Sequence, residues 1–268
     1  MRIESGSARL HCEVLGEQSD TPVLLLHGLG GSRLAWSGIT AAFAHTRRVI
    51  AADLRGCGLS ERGNEPYDFA LLGSDVVTIL DAVGAQRAHI VGHSLGGVIA
   101  QEVLTQYGER TASAVLISTS ARVGASAAAA WQALADLVEV RGLTSVAATT
   151  ERAFTREFAE RHADTVALLS RITSEADPHV YAAQARIASA YDYTNALIAV
   201  SQPVLILQGL GDRLTSPGGS VLLSRAISGA RLEMIEGVGH NLHLEMGDDF
   251  VKRVERFFSE SEAAASRP

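Results

Sequence analysis

Short apolar runs rich in β-branched residues alternate along the chain with longer segments of helical pattern. The later runs are continuously apolar, which is typical of strands buried on both faces of a parallel sheet. This alternation predicts an α/β protein with a doubly wound sheet. The predicted strands are Ala8–Leu15, Val23–His27, Arg48–Asp53, Ala88–Val91, Ala114–Ser118, Val204–Gln208 and Arg231–Ile235. The predicted helices are Leu71–Val83, Gly97–Tyr107, Gly218–Ile227 and Asp248–Phe258.

The stretch from residue 121 to residue 200 breaks this alternation. It contains no strand pattern, it is rich in alanine, and it is far longer than an ordinary crossover connection. Within it, Asp177-Pro178 predicts a helix start with Asp177 as the N-cap. We therefore expect residues 1–120 and 201–268 to form the core and residues 121–200 to form a helical cap; the alternative is that these helices simply cover the sheet. The tail from Ser259 to Pro268 is expected to be frayed.

Composition and charge exclude several classes of protein. The 268 residues are 47% hydrophobic and carry a net charge of −7, which suits a large packed domain and disfavours nucleic acid or an anionic membrane as partner. No apolar run is long enough to span a bilayer and the first residues lack a signal-peptide core, so a cytoplasmic protein is expected. The two cysteines predict neither a disulfide framework nor a metal site, and Cys57 is expected to fill a loop.

Gly92-His93-Ser94-Leu95-Gly96 is the most informative stretch of the chain. It lies between a predicted strand and a predicted helix, which is the context of the G-x-S-x-G nucleophile elbow. Glycines two residues before and two after the serine relieve the clashes of a sharp turn. The helix N-terminus beneath the hydroxyl favours developing negative charge. An ordinary strand-to-helix turn would also fit this pattern. The nucleophile elbow is favoured only if the rest of the chain supplies the other catalytic groups.

A serine hydroxyl becomes a useful nucleophile only when a base takes its proton. His240 is the best candidate for that base, because it lies in a glycine-rich loop directly after the last predicted strand. Asp212 is the best candidate for the carboxylate that orients the imidazole, since it also follows a strand. The chain order Ser94, Asp212, His240 is the order expected for a nucleophile elbow on such a sheet.

Three other residues compete for these roles. His243 falls within an apolar stretch and is expected to pack there. Asp53 ends a strand, but it precedes the serine, and a structural pairing with a neighbouring arginine is the simpler interpretation. Asp192 precedes a strand and is expected to cap or brace a turn.

The oxyanion of the reaction needs two backbone N–H donors, one directly after the nucleophile and one from the loop after an earlier strand. Leu95 fits the first position. Leu29, within the glycine-rich loop that follows the strand at Val23–His27, fits the second. Each donor contributes roughly 3 kcal/mol in the transition state.

The same glycine-rich loop also has to be considered as a dinucleotide site. It follows a strand, and Asp53 lies at the distance of a ribose-binding acid. The third glycine of that fingerprint is replaced by Arg33, whose bulk would hinder close packing of helix on strand. A dinucleotide site would also leave Ser94, Asp212 and His240 without a role, so no cofactor is expected.

Taken together, these motifs resemble those of the α/β-hydrolase superfamily over nearly the whole chain. The motifs are His27-Gly28, the loop from Asp53 to Ser60, the elbow around Ser94, Gly209-x-x-Asp212 and Gly239-His240. The resemblance implies an eight-stranded, mostly parallel sheet with helices on both faces and a helical cap inserted after the sixth strand. It also implies Ser94, Asp212 and His240 as the catalytic triad. Within the superfamily the chain is similar to small bacterial esterases, enol-lactonases and aminoacrylate hydrolases.

Hydrolysis of a small carboxylic ester or lactone is the function that these residues favour, without metal or organic cofactor. C–C bond hydrolysis, amide hydrolysis and perhydrolysis use the same triad, and a ligand-binding receptor of this fold is a further alternative. The oligomeric state is left open. In the cap, Trp131, Phe154 and Phe158 have helical spacing and are expected to form its core rather than line a substrate pocket.

Overall fold

A central sheet organises the structure, a computed structural model that describes residues 1–17 and 21–266. Its eight strands follow the order β1-β2-β4-β3-β5-β6-β7-β8, and all pairs from β4 onward in that order are parallel. This confirms the predicted α/β class with a mostly parallel, eight-stranded sheet. The strands are β1 Arg2–Ser5, β2 Ala8–Leu15, β3 Val23–Leu26, β4 Val49–Asp53, β5 Ala88–His93, β6 Thr111–Ile117, β7 Val204–Gly209 and β8 Arg231–Ile235.

Helices cover both faces of this sheet. In β3, for example, Leu24 and Leu26 point into one apolar core and Val23 and Leu25 into the other. The continuous apolar runs in the sequence are explained by this two-sided burial. The helices are α1 Ser37–Phe43, α2 Phe69–Ala82, α3 Leu95–Gln106, α4 Ala125–Arg141, α5 Thr144–Ala147, α6 Arg156–Arg161, α7 Ala163–Ser174, α8 Pro178–Ala188, α9 Pro217–Ala226, α10 Leu242–Met246 and α11 Asp248–Ala265.

Five of these helices, α4 to α8, lie between β6 and β7. Two of them, α4 and α8, pack through the small side chains of Ala135, Ala182 and Ala185, which allow a close approach. Asp177 caps α8, because its carboxylate accepts hydrogen bonds from the N–H groups of His179 and Val180.

The C-terminal tail differs from the sequence expectation. Helix α11 continues to Ala265, whereas fraying was expected from Ser259 onward; residues 267–268 lie outside the described part. Tertiary contacts hold this last stretch. The carboxylate of Glu262 accepts hydrogen bonds from Arg47 and forms another with the buried ring of His89. Ser261 is buried as well. A polar, alanine-rich tail gives no sign of such contacts in the sequence.

The strand β1 was not predicted. It is only four residues long, and it pairs antiparallel with β2 at the edge of the sheet. Its Ile3 and Ser5 are buried and alternate with exposed neighbours, a pattern too short to stand out in the sequence.

Candidate active site

Ser94 lies at the tip of a tight turn between β5 and α3. Its φ of 53° and ψ of −115° belong to a region that residues other than glycine rarely adopt. The flanking glycines are required by close backbone approaches. A Cβ on Gly92 would lie 2.3 Å from the carbonyl oxygen of Gly96, and one on Gly96 would lie 2.4 Å from that of Leu26. The strained serine is therefore held by the packing of α3 against β3 and β5.

The N-terminus of α3 lies directly behind this serine. The carbonyl of Ser94 accepts the N–H groups of Gly97 and Val98, which begin the helix. Leu95 is the first helical residue, so its N–H has no acceptor within the helix. The dipole of α3 and this free N–H together favour negative charge beside the hydroxyl.

The side chains of Asp212 and His240 are joined by a buried hydrogen bond. Nδ1 of His240 lies 2.9 Å from Oδ2 of Asp212. The other carboxylate oxygen accepts the N–H groups of Leu214 and Thr215, each at 2.8 Å. Burial opposes ionisation of Asp212, but the hydrogen bonds from His240 and from these two amides prevail and lower the pKa of the carboxyl. Asp212 is thus a fixed anion that orients the His240 ring.

The backbone of His240 is held by two side chains that the sequence did not indicate. Its carbonyl oxygen accepts a hydrogen bond from Ser118 Oγ at 2.8 Å and one from His93 Nε2 at 3.1 Å. Ser118 follows β6 and has a φ of 49°, which places it, like Ser94, in the left-handed region. Burial lowers the pKa of His93 well below its usual value, so this ring stays neutral as it donates.

Glu245 connects the His240 loop to the helical segment between β6 and β7. Its carboxylate accepts the N–H of Gly239 at 2.8 Å and the hydroxyl of Thr155 at 2.6 Å. The N–H of Asn241 also donates to the carbonyl of Ala153. The loop that carries His240 is thereby fixed to the 3₁₀ turn Thr150–Ala153 and the residues after it.

The loop that carries Leu29 lies against the elbow. A Cβ on Gly28 would lie 3.3 Å from Cβ of Ser94, so the backbone here passes directly beside Ser94. Among residues 1–17 and 21–266, no hydrogen-bond acceptor is found for the N–H of Leu29. The Leu29 and Leu95 amides therefore border the same serine without being used elsewhere in the described part.

A cavity of about 600 Å³ opens over these groups. Ser94, Leu29 and His240 all contribute to its wall. Within the described residues, the Ser94 hydroxyl forms no hydrogen bond; such bonds are often long or misaligned before substrate binds. The apolar residues of the wall include Leu29, Trp131, Leu134, Leu137, Leu169 and Ile172.

The aromatic residues of the helical segment divide between wall and interior. Trp131 lines the cavity, which corrects the expectation that it would serve only the packing of this segment. Trp131 also packs against the small-residue contact of α4 with α8, so helical spacing could not separate the two roles. Phe154 and Phe158 stack on each other with ring centroids 5.2 Å apart, and they are not part of the cavity wall.

The competing acids and bases have structural partners. The ring of His243 is buried with its centroid 4.4 Å from that of Trp36, and burial lowers its pKa to about 3, so it packs in the core as expected. Asp53 accepts the N–H and the guanidinium of Arg33, at 2.7 and 2.9 Å. The arginine that pairs with Asp53 is therefore Arg33, 20 residues earlier in the chain, whereas the nearby Arg55 pairs with Asp75.

Two further expectations concern polar loop residues. The carboxylate of Asp192 accepts the N–H of Thr194 and braces a turn. Cys57 is buried, and burial raises the pKa of its thiol to about 12, which makes it a poor nucleophile.

Among the described residues, no group of three or more His, Cys, Asp or Glu side chains has the arrangement to hold a metal ion. None of the helices in the described ranges has both the length and the apolar character to cross a membrane.

Known proteins resemble this chain in sequence and in structure. A 3-oxoadipate enol-lactonase 2 of Acinetobacter baylyi is 32% identical over 240 residues, 89% of this chain and 89% of the relative. A 2-hydroxymuconate semialdehyde hydrolase of Pseudomonas putida is 28% identical over 251 residues, 91% of this chain and 89% of the relative. The crystal structure of the enol-lactonase from Burkholderia xenovorans LB400 matches with a TM-score of 0.88 at 28% identity, covering 94% of this chain and 97% of that one.

The family model of the alpha/beta hydrolase fold matches residues 21–246, which is most of the chain. Together with the fold and the full-length relatives, this match shows that the chain belongs to the alpha/beta hydrolase family.

Proposed function

We propose that this protein is a serine hydrolase that cleaves a small carboxylic ester or lactone through an acyl-enzyme. One observation carries the proposal: the buried Asp212–His240 hydrogen bond lies beside a cavity whose wall contains both His240 and the strained Ser94. The similarity to enol-lactonases of nearly equal length supports the ester or lactone class. A cavity of about 600 Å³ has the size of a small-molecule site.

In the proposed mechanism, Ser94 Oγ attacks the carbonyl carbon while Nε2 of His240 takes its proton. Asp212 keeps the proton of the ring on Nδ1 and stabilises the imidazolium that forms. The N–H groups of Leu29 and Leu95 bind the oxyanion. His240 then donates its proton to the leaving oxygen, and in the second half of the reaction it activates the water that releases the acid.

The helical segment of residues 121–200 acts in this proposal as a cap on a core of residues 1–120 and 201–268. Its residues supply the wall of the cavity opposite Ser94, with Trp131 and Leu134 from α4 and Ile172 from α7. The hydrogen bonds of Glu245 and Asn241 fix this segment to the His240 loop. The shape of the cap thus sets which acyl groups fit, while the core supplies the chemistry.

Partitioning between water and methanol tests the acyl-enzyme. We expect 4-nitrophenyl butyrate and phenyl butyrate to give the same ratio of methyl butyrate to butyrate in aqueous methanol, since both would pass through one butyryl-Ser94. The ratio is measured by gas chromatography over several methanol concentrations. Ratios that differ between the two leaving groups would show direct attack of water on the ester and contradict the proposed intermediate. Absence of turnover with any short ester or lactone would contradict the assigned reaction class.

A further inference from the structure

The cavity over Ser94 carries positive charge without any matching acid. Its wall includes the guanidinium side chains of Arg152 and Arg213. No Asp or Glu of the described residues contributes to that wall. Neither guanidinium forms an ion pair within the described part of the chain. Two cations without partners therefore face a cavity that is otherwise lined mainly by apolar side chains.

The two arginines come to the cavity from different segments of the chain. Arg152 lies in the 3₁₀ turn Thr150–Ala153 of the helical segment, and Arg213 lies in the loop after β7. Both backbones are anchored close to His240. The carbonyl of Ala153 accepts the N–H of Asn241 at 2.9 Å, and Arg213 lies within the turn that the Asp212 carboxylate closes. The fold thus defines where the backbones of both arginines lie relative to the reacting groups.

The two cavity arginines contrast with the negative net charge of the protein. The chain has a net charge of −7, so its average field repels an anionic ligand. A guanidinium offers up to five N–H donors in a planar fork, which matches a carboxylate. Both arginines are exposed as well as lining the cavity, so their guanidinium groups are open to a ligand carboxylate.

We propose that Arg152 and Arg213 are specificity-determining residues that bind a free carboxylate on the acyl part of the substrate, remote from the scissile carbonyl. This inference rests on the proposed function, because it places the acyl chain on Ser94. A group on the acyl part remains bound through both formation and hydrolysis of the acyl-enzyme, so its binding energy serves both steps. The apolar wall between Ser94 and the arginines would then accommodate the methylene chain that joins the two ends.

A pair of matched esters tests this assignment. Mono-4-nitrophenyl adipate and 4-nitrophenyl hexanoate have the same leaving group and the same six-carbon acyl chain, and differ in a terminal carboxylate that is ionised at neutral pH. We expect the protein to prefer the adipate ester by about two- to fivefold in kcat/KM at low ionic strength, the effect of an exposed ion pair. The preference should shrink as salt is added, because exposed charges are screened.

Arginine variants test whether Arg152 and Arg213 cause the preference for the adipate ester. In the Arg152→Gln/Arg213→Gln double variant the adipate-to-hexanoate ratio should fall to about one, mainly through a higher KM for the adipate ester. Arg225→Gln is the matched control, because Arg225 is exposed on α9 outside the cavity wall and the substitution removes the same charge. It should keep the wild-type ratio.

The outcomes separate this inference from the proposed function. Ser94-dependent cleavage of the hexanoate ester with no preference for the adipate ester would overturn the carboxylate site and leave the hydrolase assignment intact. A preference that survives in the double variant would also overturn it, since the charge would then be recognised elsewhere. Failure to cleave either ester would instead overturn the proposed function.

Discussion

Ser94→Ala is expected to lower kcat/KM for 4-nitrophenyl butyrate by about 10⁴- to 10⁶-fold. Without the hydroxyl, His240 and the two amides have no nucleophile to assist, and the acyl-enzyme cannot form. The melting temperature should change by only a few degrees, because the substitution removes one oxygen and leaves the packing of Gly92 and Gly96 intact. Spectrophotometric turnover and thermal unfolding measure the two effects.

Ser126→Ala serves as the matched control for this variant. Ser126 is exposed on α4 and is not part of the cavity wall, so turnover should stay within about twofold of the wild-type value. If Ser94→Ala retained most of the activity, the nucleophile would have to be sought elsewhere. If both serine variants lost activity together, the loss would reflect damage to the fold.

Asp212→Asn is expected to lower kcat by about 10³- to 10⁴-fold with little change in the fold. The amide nitrogen of the asparagine would face Nδ1 of His240 and donate to it, because the neighbouring N–H groups of Leu214 and Thr215 hold the oxygen in place. The proton of the ring would then reside on Nε2, which could no longer accept the proton of Ser94. Steady-state kinetics, with His240 Nδ1 and Nε2 shifts by nitrogen NMR, measures both consequences.

Asp192→Asn is the control for this substitution. Asp192 is a strand-proximal acid that only braces a turn, so its variant should keep turnover within about twofold. Loss of kcat in Asp212→Asn without a change of tautomer would mean that Asp212 acts through the stability of the loop and not through the orientation of the ring. Undiminished kcat would remove Asp212 from the mechanism.

Much of the fold could be predicted from the apolar runs in the sequence that mark the strands. Continuous apolar runs located β3 to β7 because both faces of the sheet are covered there, whereas β8 is a mixed run of apolar and charged residues. The positions after β5, β7 and β8 followed from these strands. Helix starts with chemical signals, such as Asp177-Pro178, were equally accessible. The residues Ser94, Asp212 and His240 could be proposed from the sequence for this reason.

Contacts between segments that are distant in the chain could not be predicted from the sequence in this way. Ser118 and His93 meet the carbonyl of His240 only after the sheet is assembled, and no pattern marks either residue. The carboxylate of Glu245 accepts a hydrogen bond from Thr155, which lies 90 residues earlier in the chain. The last turns of α11 depend in the same way on Arg47 and His89, which lie far away in the chain.

Covalent labelling with a fluorophosphonate ester tests whether His240 and Asp212 make the Ser94 hydroxyl reactive. We expect one adduct per chain in the intact mass, located by tandem mass spectrometry at Ser94, and a rate of labelling that falls sharply in Asp212→Asn. An adduct at another residue, or labelling of Ser94 at the same rate without the Asp212 carboxylate, would contradict this expectation.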